Sequence, residues 1–524
     1  MMKPLNQSFK DGENNQVLLD IAYRIAETGV STTISEIYRK HGKDACLLPL
    51  SAVSAAGKVY QQKTSEEKPI IGVLVGTTPN PKIRIGKVTN LKTISLDEIV
   101  IDQKEMEVCA GAAITIDQLN QALADQLSPA YRVPGSDLTS YAYAQVGSTF
   151  MTGGMGPQRR YFSDSVSQIL LHNGTQLEII DQGQLIHYAG TYGWTGIVCA
   201  VRCRYGKLPE NEIAFALPVH DNSLEIAKLL EHLASFCFFE FGQDLTTNLT
   251  DKSDVIIGIE HVTSGSMEPL IQDYSDNIYA KRARQLSEKC KQINADGVLF
   301  INGCSNDSID EFLNLLIDDC DSESICIGGI DLESAEVFRT SNEMRELREA
   351  IPYAARMREP HAAYRYKNHT DANVRLNHTQ VAYCAEALWD SNKSYVNDME
   401  QFIRETDGLS GEIIVYGHMN PFGIDPHNRL TMAADQLEMM DSAKEYVNQL
   451  RSDFYRRLGD ICEQTGSELI GGEKGAISES EIIDAFGGPD STPPNLRNKY
   501  QKQKNTVSSA ASNFNWRALD LYRN

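Results

Sequence analysis

The sequence predicts an α+β protein of two principal domains with a C-terminal extension, and three observations point there. At 524 residues the chain exceeds an ordinary single domain, and its 41% hydrophobic and 23% charged residues suit a sizeable buried core. Residues 17–215 read as short strands mixed with helices. Residues 216–430 read as strands alternating with clear helices, the pattern of a sheet with helices on one face. Residues 431–524 open with a long helical stretch to about 464 and pass through a glycine-rich turn to a polar tail.

The elements follow in order. The first sixteen or so residues are polar, are expected to be flexible and lack the apolar stretch of a secretory signal. Ile70–Val75 is a β-branched strand run. Met106–Ala110 leads into Thr115, which caps a helix carrying Leu119 and Leu123, and Gln118 completes a capping box. Ile169–Leu171, His172-Asn173-Gly174 and Leu177–Ile180 form a hairpin signal. Strands are expected at Val255–Ile259, Val298–Ile301, Ile325–Ile327 and Ile413–Tyr416, with helices at Asp221–Leu233, 276–293 and 308–319. The polar run Pro489–Ser512 reads as loop or partial disorder.

Charge and cysteine usage exclude several classes. Lys and Arg number 49 against 71 Asp and Glu, a net charge of -22, which opposes nucleic acid and anionic membranes. No run approaches the roughly 18 apolar residues of a membrane span. The 11 cysteines include no CxxC pair, so neither a zinc nor an iron–sulfur signature is present. Scattered thiols suit a reduced, cytoplasmic setting.

Residues 133–156, VPGSDLTSYAYAQVGSTFMTGGMG, are rich in Gly, Ser and Thr and nearly uncharged. Glycine permits close backbone approach, and successive amides can form an anion-holding concavity; a plain surface loop is the alternative. Pro134 to Gly156, then Arg160-Tyr161 and ILLHNGT, resemble the flavin domain of the FAD-linked oxidases of the vanillyl-alcohol oxidase type. The similarity is greatest to the D-lactate, glycolate and D-2-hydroxyglutarate dehydrogenase branch. VCAGAAITIDQLNQAL (108–123) and TYGWTGIVCAVRCRY (191–205) match further family segments in the same order. The resemblance implies a two-part PCMH-type FAD-binding domain plus an α/β substrate (cap) domain with an antiparallel sheet and helices on one face. It implies FAD contacts from Pro134, Gly135, Ser136, Val146, Gly147, Ser148, Thr152, Gly153, Gly154, Gly193, Gly196, Ile197 and Val198. The family's glycine-rich pyrophosphate loop falls on GVLVGTTPNPK (72–82), where the triple-glycine turn is absent. Gly72, Gly76, Thr77 and Thr78 can still present amides and hydroxyls to phosphate. No GxGxxG follows a strand, so a Rossmann unit is not supported.

Three stretches of the second half carry candidate chemistry. YGHMNPFGIDPHNR (416–429) holds His418 and His427 in what reads as a Gly-, Pro- and Asn-dense loop, and LIGGEKGAIS (469–478) holds Glu473 between glycines. Two imidazoles and a carboxylate suit a divalent metal such as zinc; alternatively a neutral histidine takes a substrate proton, or the side chains satisfy local backbone groups. The first stretch resembles the branch's GHxGDGNxH motif with a two-residue insertion, and GGEKG resembles its EHG motif. The resemblance implies His418, Glu473 and Lys474 as catalytic, and His418, His427 and Glu473 as metal ligands, with Asp425 able to replace one. Lys474 stands where the family has histidine. In the basic stretch 347–374, Arg348 and Lys367 match residues that hold a substrate carboxylate in relatives.

The expected activity is FAD-dependent hydride removal from a small hydroxy acid or alcohol, with electrons passing to oxygen, a quinone or a carrier protein. A homodimer stays open. The competing readings are a diverged, inactive flavoprotein-like binding protein and a phenol- or sugar-oxidising member of the superfamily.

Overall fold

The computed structural model describes residues 46–49, 70–73, 87–89, 99–136, 138, 144–154, 161–174, 176–191, 193, 195–207, 211–219, 254–263, 278–305, 336–338, 343, 369–374, 377–378, 383–420, 423–434, 437–465, 469–470, 488, 490 and 494–514. Strands β1 (Cys46–Pro49), β2 (Ile70–Val73) and β3 (Lys87–Thr89) form a small parallel sheet. Then follow β4 (Ile99–Asp102), β5 (Glu107–Gly111), helix α1 (Ile116–Gln126), β6 (Tyr131–Arg132), α2 (Val146–Thr152), β7 (Val166–His172), β8 (Leu177–Asp181), α3 (Gln182–Leu185), β9 (Ile197–Arg204) and β10 (Gly206–Lys207).

An antiparallel five-stranded sheet runs β4-β5-β9-β7-β8. Its central strand β9 is buried from Ile197 to Cys203, which is why IVCAVRC reads as a continuous apolar run with one charge. That charge, Arg202, is paired with Glu107 across the ladder and donates to Gln168 Oε1 at 3.3 Å. α1 forms as its sequence predicts. The Thr115 hydroxyl accepts from the Gln118 amide at 3.1 Å, Gln118 Oε1 accepts from the Thr115 amide at 2.9 Å, and Ile116, Leu119 and Leu123 are buried. The β7–β8 hairpin also forms, with Gly174 at φ 96° in the turn.

The second sheet is larger. It takes β11 (Asn211–Val219), β12 (Asp254–Thr263), β13 (Gly297–Ser305), β14 (Glu336–Phe338), β15 (His369–Val374), β17 (Leu409–Asn420) and β18 (Gly423–Ala434). The order is β14-β11-β13-β12-β17-β18-β15, and each pair is antiparallel. Helix α4 (Ile278–Gln292) lies between β12 and β13 in the chain, and β16 (Asn377–His378) pairs with β19 (Leu469–Ile470). Helices α5 (Tyr383–Glu405) and α6 (Leu437–Thr465) pack on each other, α5 also on β17 and β18 and α6 on β15 and β18. Two stacked aromatic pairs join them, Tyr395 on Phe454 with centroids 5.0 Å apart and Phe402 on Tyr446 at 4.0 Å.

Three readings narrow or change. Within 133–156, the glycine-rich stretch for which a plain surface loop is the alternative reading, 146–152 form helix α2, whose first six residues are all buried. The stretch 416–429 was expected to be a loop, yet it is a hairpin of two twelve-residue strands. Pro426 is tolerated there because β15 pairs with β18 only from Asn428 onward, so no ladder bond on that side is lost. Lastly, the polar run after Pro489 contains helix α7 (Pro494–Phe514), which starts on proline, a favoured first helical residue. The helix expected at Asp221–Leu233, that at 308–319 and the strand at Ile325–Ile327 lie outside the described residues.

Candidate functional site

The residues expected at the cofactor are spread along β7. Pro134–Ser136 lie by its start, next to Ser165, and Gly196–Val198 lie by its end, next to Leu171 and His172, while α2 packs on β9 and β5. The turn 133–136 is closed by the Ser136 amide donating to the Val133 carbonyl at 3.2 Å. Gly135 has φ 74°, and a Cβ there would stand 2.9 Å from the Tyr161 carbonyl oxygen, so no other residue fits. The Ser165 hydroxyl donates to the Pro134 carbonyl at 2.7 Å, and the Ser136 hydroxyl exchanges hydrogen bonds with the Asn120 amide at 3.1 and 3.3 Å.

α2 is tied into the same knot. The Val146 amide donates to the Ile114 carbonyl at 2.8 Å and the Gly147 amide to the Ala112 carbonyl at 3.1 Å, while the Ala112 amide donates to the Cys199 carbonyl of β9 at 2.9 Å. Ser148 donates its hydroxyl to the Gln145 carbonyl and Thr152 to the Ser148 carbonyl, so both hydrogens serve the helix itself. Gly153 ends α2 in the left-handed conformation, and the Gly154 amide donates to the Thr149 carbonyl at 2.8 Å. At the loop before β9, Gly193 has φ 79°, and Gly196, at φ 148°, lies against the His172 carbonyl. Ile197 and Val198 are buried in β9.

One group in this knot was missed by sequence reasoning. The Thr149 hydroxyl is buried and has no hydrogen-bond partner among the described residues. A buried orphan hydroxyl costs about 1–3 kcal/mol unless something satisfies it. That hydroxyl lies beneath the surface, so it is out of reach of a bound ligand. FAD would be held by Pro134–Ser136, α2 and the 193–198 segment, whose glycines permit close backbone approach. Nothing in the sequence singles Thr149 out from its neighbours; only its burial does. Gly72 lies in β2, while Gly76, Thr77 and Thr78 lie outside the described residues.

The second set lies on the seven-stranded sheet. In the β17–β18 ladder His418 is opposite Asp425, and Tyr416 is opposite His427. In the β12–β17 ladder His418 is opposite Glu260. Because strands alternate faces with period two, Glu260, His418, Asp425, Tyr416, His427 and Arg429 occupy register positions on one face. The other face takes the register positions of Ile413, Val415 and Met419 of β17 and of Ile424, Asn428, Leu430 and Met432 of β18. Glu260 is itself only 2% exposed, although it sits in the strand run IIGIEHVT. A charged residue inside a β-branched run was the sequence signal for it, since buried charge is rarely retained without a role or a partner. Glu473, Lys474, Arg348 and Lys367 lie outside the described residues. Among the described residues no group of three or more His, Cys, Asp or Glu is placed to hold a metal ion.

No protein-family model and no curated protein sequence matches this chain. Solved structures do. Alkyldihydroxyacetonephosphate synthase matches in two crystal forms with TM-score 0.50, at 12% and 13% identity, over 83% of this chain and 70% of that one. The 4-ethylphenol oxidase from Gulosibacter chungangensis, in complex with isoeugenol, matches with TM-score 0.52 at 11% identity, over 94% of this chain and 96% of that one. No described helix is long and apolar enough to cross a membrane. At such identities the likeness speaks for architecture alone: the chain shares an α+β fold with these two enzymes.

Proposed function

We propose that the chain is an FAD-dependent, oxidase-type oxidoreductase acting on a small hydroxy acid or alcohol. The observation that carries this reading is the polar row Glu260–His418–Asp425 on the large sheet of a fold shared with flavoenzymes. Residues 17–215 would form the FAD-binding domain, 216–430 the substrate domain, and 431–524 would return to the flavin half. Bound FAD would supply a hydride acceptor at flavin N5 and release its electrons to oxygen, a quinone or a carrier protein. His418, as the neutral imidazole, would take the substrate hydroxyl proton. Arg348 and Lys367 would hold a substrate carboxylate, with Glu473 and Lys474 completing the site.

A second reading, oxidation of a neutral alcohol or phenol, is favoured by the likeness to a 4-ethylphenol oxidase. Both readings are tested on the purified protein. It should be yellow or become so with added FAD, and it should bleach anaerobically with one member of a panel of D- and L-hydroxy acids, neutral alcohols and phenols. A colourless protein that ignores FAD would sink both. Bleaching by phenols alone would select the second.

A further inference from the structure

Helix α7 places one fully buried polar side chain against the cofactor half of the molecule. Gln503 has no exposed surface, whereas Gln501, Lys502 and Asn505 on the same helix are exposed. Its Nε2 donates to the carbonyls of Ile186 at 3.3 Å and Ala189 at 3.0 Å, in the turn that follows α3. That turn continues directly into the cofactor knot. The Gly190 amide donates to the Phe150 carbonyl of α2 at 3.1 Å. The Thr191 hydroxyl donates to the Tyr188 carbonyl at 2.6 Å and lies 2.9 Å from the Thr195 hydroxyl and 3.7 Å from the Met151 sulfur. A residue more than three hundred positions downstream is thus two hydrogen bonds from α2 and one turn from Gly193 and Gly196.

A purely packing role would be met better by leucine. Burying a primary amide is costly, and Gln503 Oε1 has no partner among the described residues. What glutamine adds is two donors for two turn carbonyls that the 186–190 backbone leaves available.

We propose that Gln503 is a positioning residue for the cofactor: it holds the 186–190 turn, and through it α2 and the 190–198 segment, in the geometry that receives FAD. Docking of α7 and binding of FAD are then coupled, and the coupling is reciprocal. This rests on the FAD reading above. The test uses the full chain. In the wild type, adding FAD should slow amide exchange across 494–514 as well as across 186–198. Gln503→Leu should weaken FAD affinity about tenfold, as expected for two hydrogen bonds of ordinary strength, and should shift the visible absorbance of bound flavin. Equal FAD affinity in variant and wild type, with thermal midpoints lowered equally with and without FAD, would reduce Gln503 to a structural contact and overturn the proposal. So would wild-type exchange in 494–514 that ignores FAD, a readout that holds even if the variant fails to fold. A wild type that binds no FAD brings down the functional reading itself, and this proposal with it.

Discussion

At Gly147 a Cβ would stand 2.6 Å from the Ala112 Cβ and 3.1 Å from its carbonyl oxygen, both in the turn that follows β5. The absent side chain therefore serves the packing of α2 on the sheet, whatever the backbone also touches. Gly147→Ala should cost about 1–3 kcal/mol by overpacking, read as a lower urea midpoint of the FAD-free protein. Gly183 in α3 is the control, since a Cβ there meets nothing within 4 Å and Ala should be neutral or slightly stabilising. An unchanged midpoint for Gly147→Ala would mean that α2 can move away from Ala112. Glu260 poses the complementary question of a retained charge. Opposite His418 in the ladder, its carboxylate is suited to stabilise positive charge developing on a histidine base. Glu260→Gln should keep FAD binding but slow anaerobic flavin reduction tenfold or more; a rate within twofold of wild type would remove it from the chemistry.

Single elements differ in how far the sequence reveals them. α1 was legible because its start is local: Thr115 and Gln118 satisfy each other's backbone amides, and Leu119 and Leu123 mark the buried face. Thr115→Ala should cost about 1 kcal/mol, seen as a drop in thermal midpoint, and Thr115→Ser should restore most of it. The β7–β8 hairpin was legible for the same reason. α2 was not, because Gly147 and Ser148 are weak helix formers and tertiary contacts to Ile114 and Ala112 decide its conformation. The β17–β18 hairpin was hidden by Gly417, Gly423 and Pro426, which signal a loop until the limited reach of β15 is known. α7 was hidden by composition, since among its residues of described burial Gln503 and Val507 are the buried ones and Gln503 is polar. The candidate site follows the same division. Its glycines and histidines could be read from motif spacing. Thr149 could not, because only its burial makes it notable, and Glu260 shows in the sequence only as a charge inside a β-branched run.

At the scale of the whole molecule, two effects of opposite sign set the response to acid. The chain carries a net charge of -22, so protonating carboxylates relieves self-repulsion as pH falls. Against this stands His172, at the end of β7, buried and with its pKa pushed down to about 4 by that burial. Its Nδ1 accepts the Gly174 amide at 3.1 Å, which keeps the neutral ring useful in the turn. In the unfolded chain the same histidine titrates near 6.5. Between pH 6.5 and pH 4 the unfolded chain therefore binds a proton that the folded chain does not, and stability falls as pH falls through that window. Above pH 6.5 the contribution is fully present, and by pH 4 about 3 kcal/mol of it is gone. His172→Asn isolates the effect, because its Oδ1 can still accept the Gly174 amide and cannot titrate. Urea unfolding of both proteins from pH 7 to pH 4 should show the wild type losing roughly 3 kcal/mol relative to the variant, while the carboxylate contribution, common to both, cancels. Parallel stability curves would mean that His172 is protonated without opening the sheet, and that the β7–β8 turn yields before the core does.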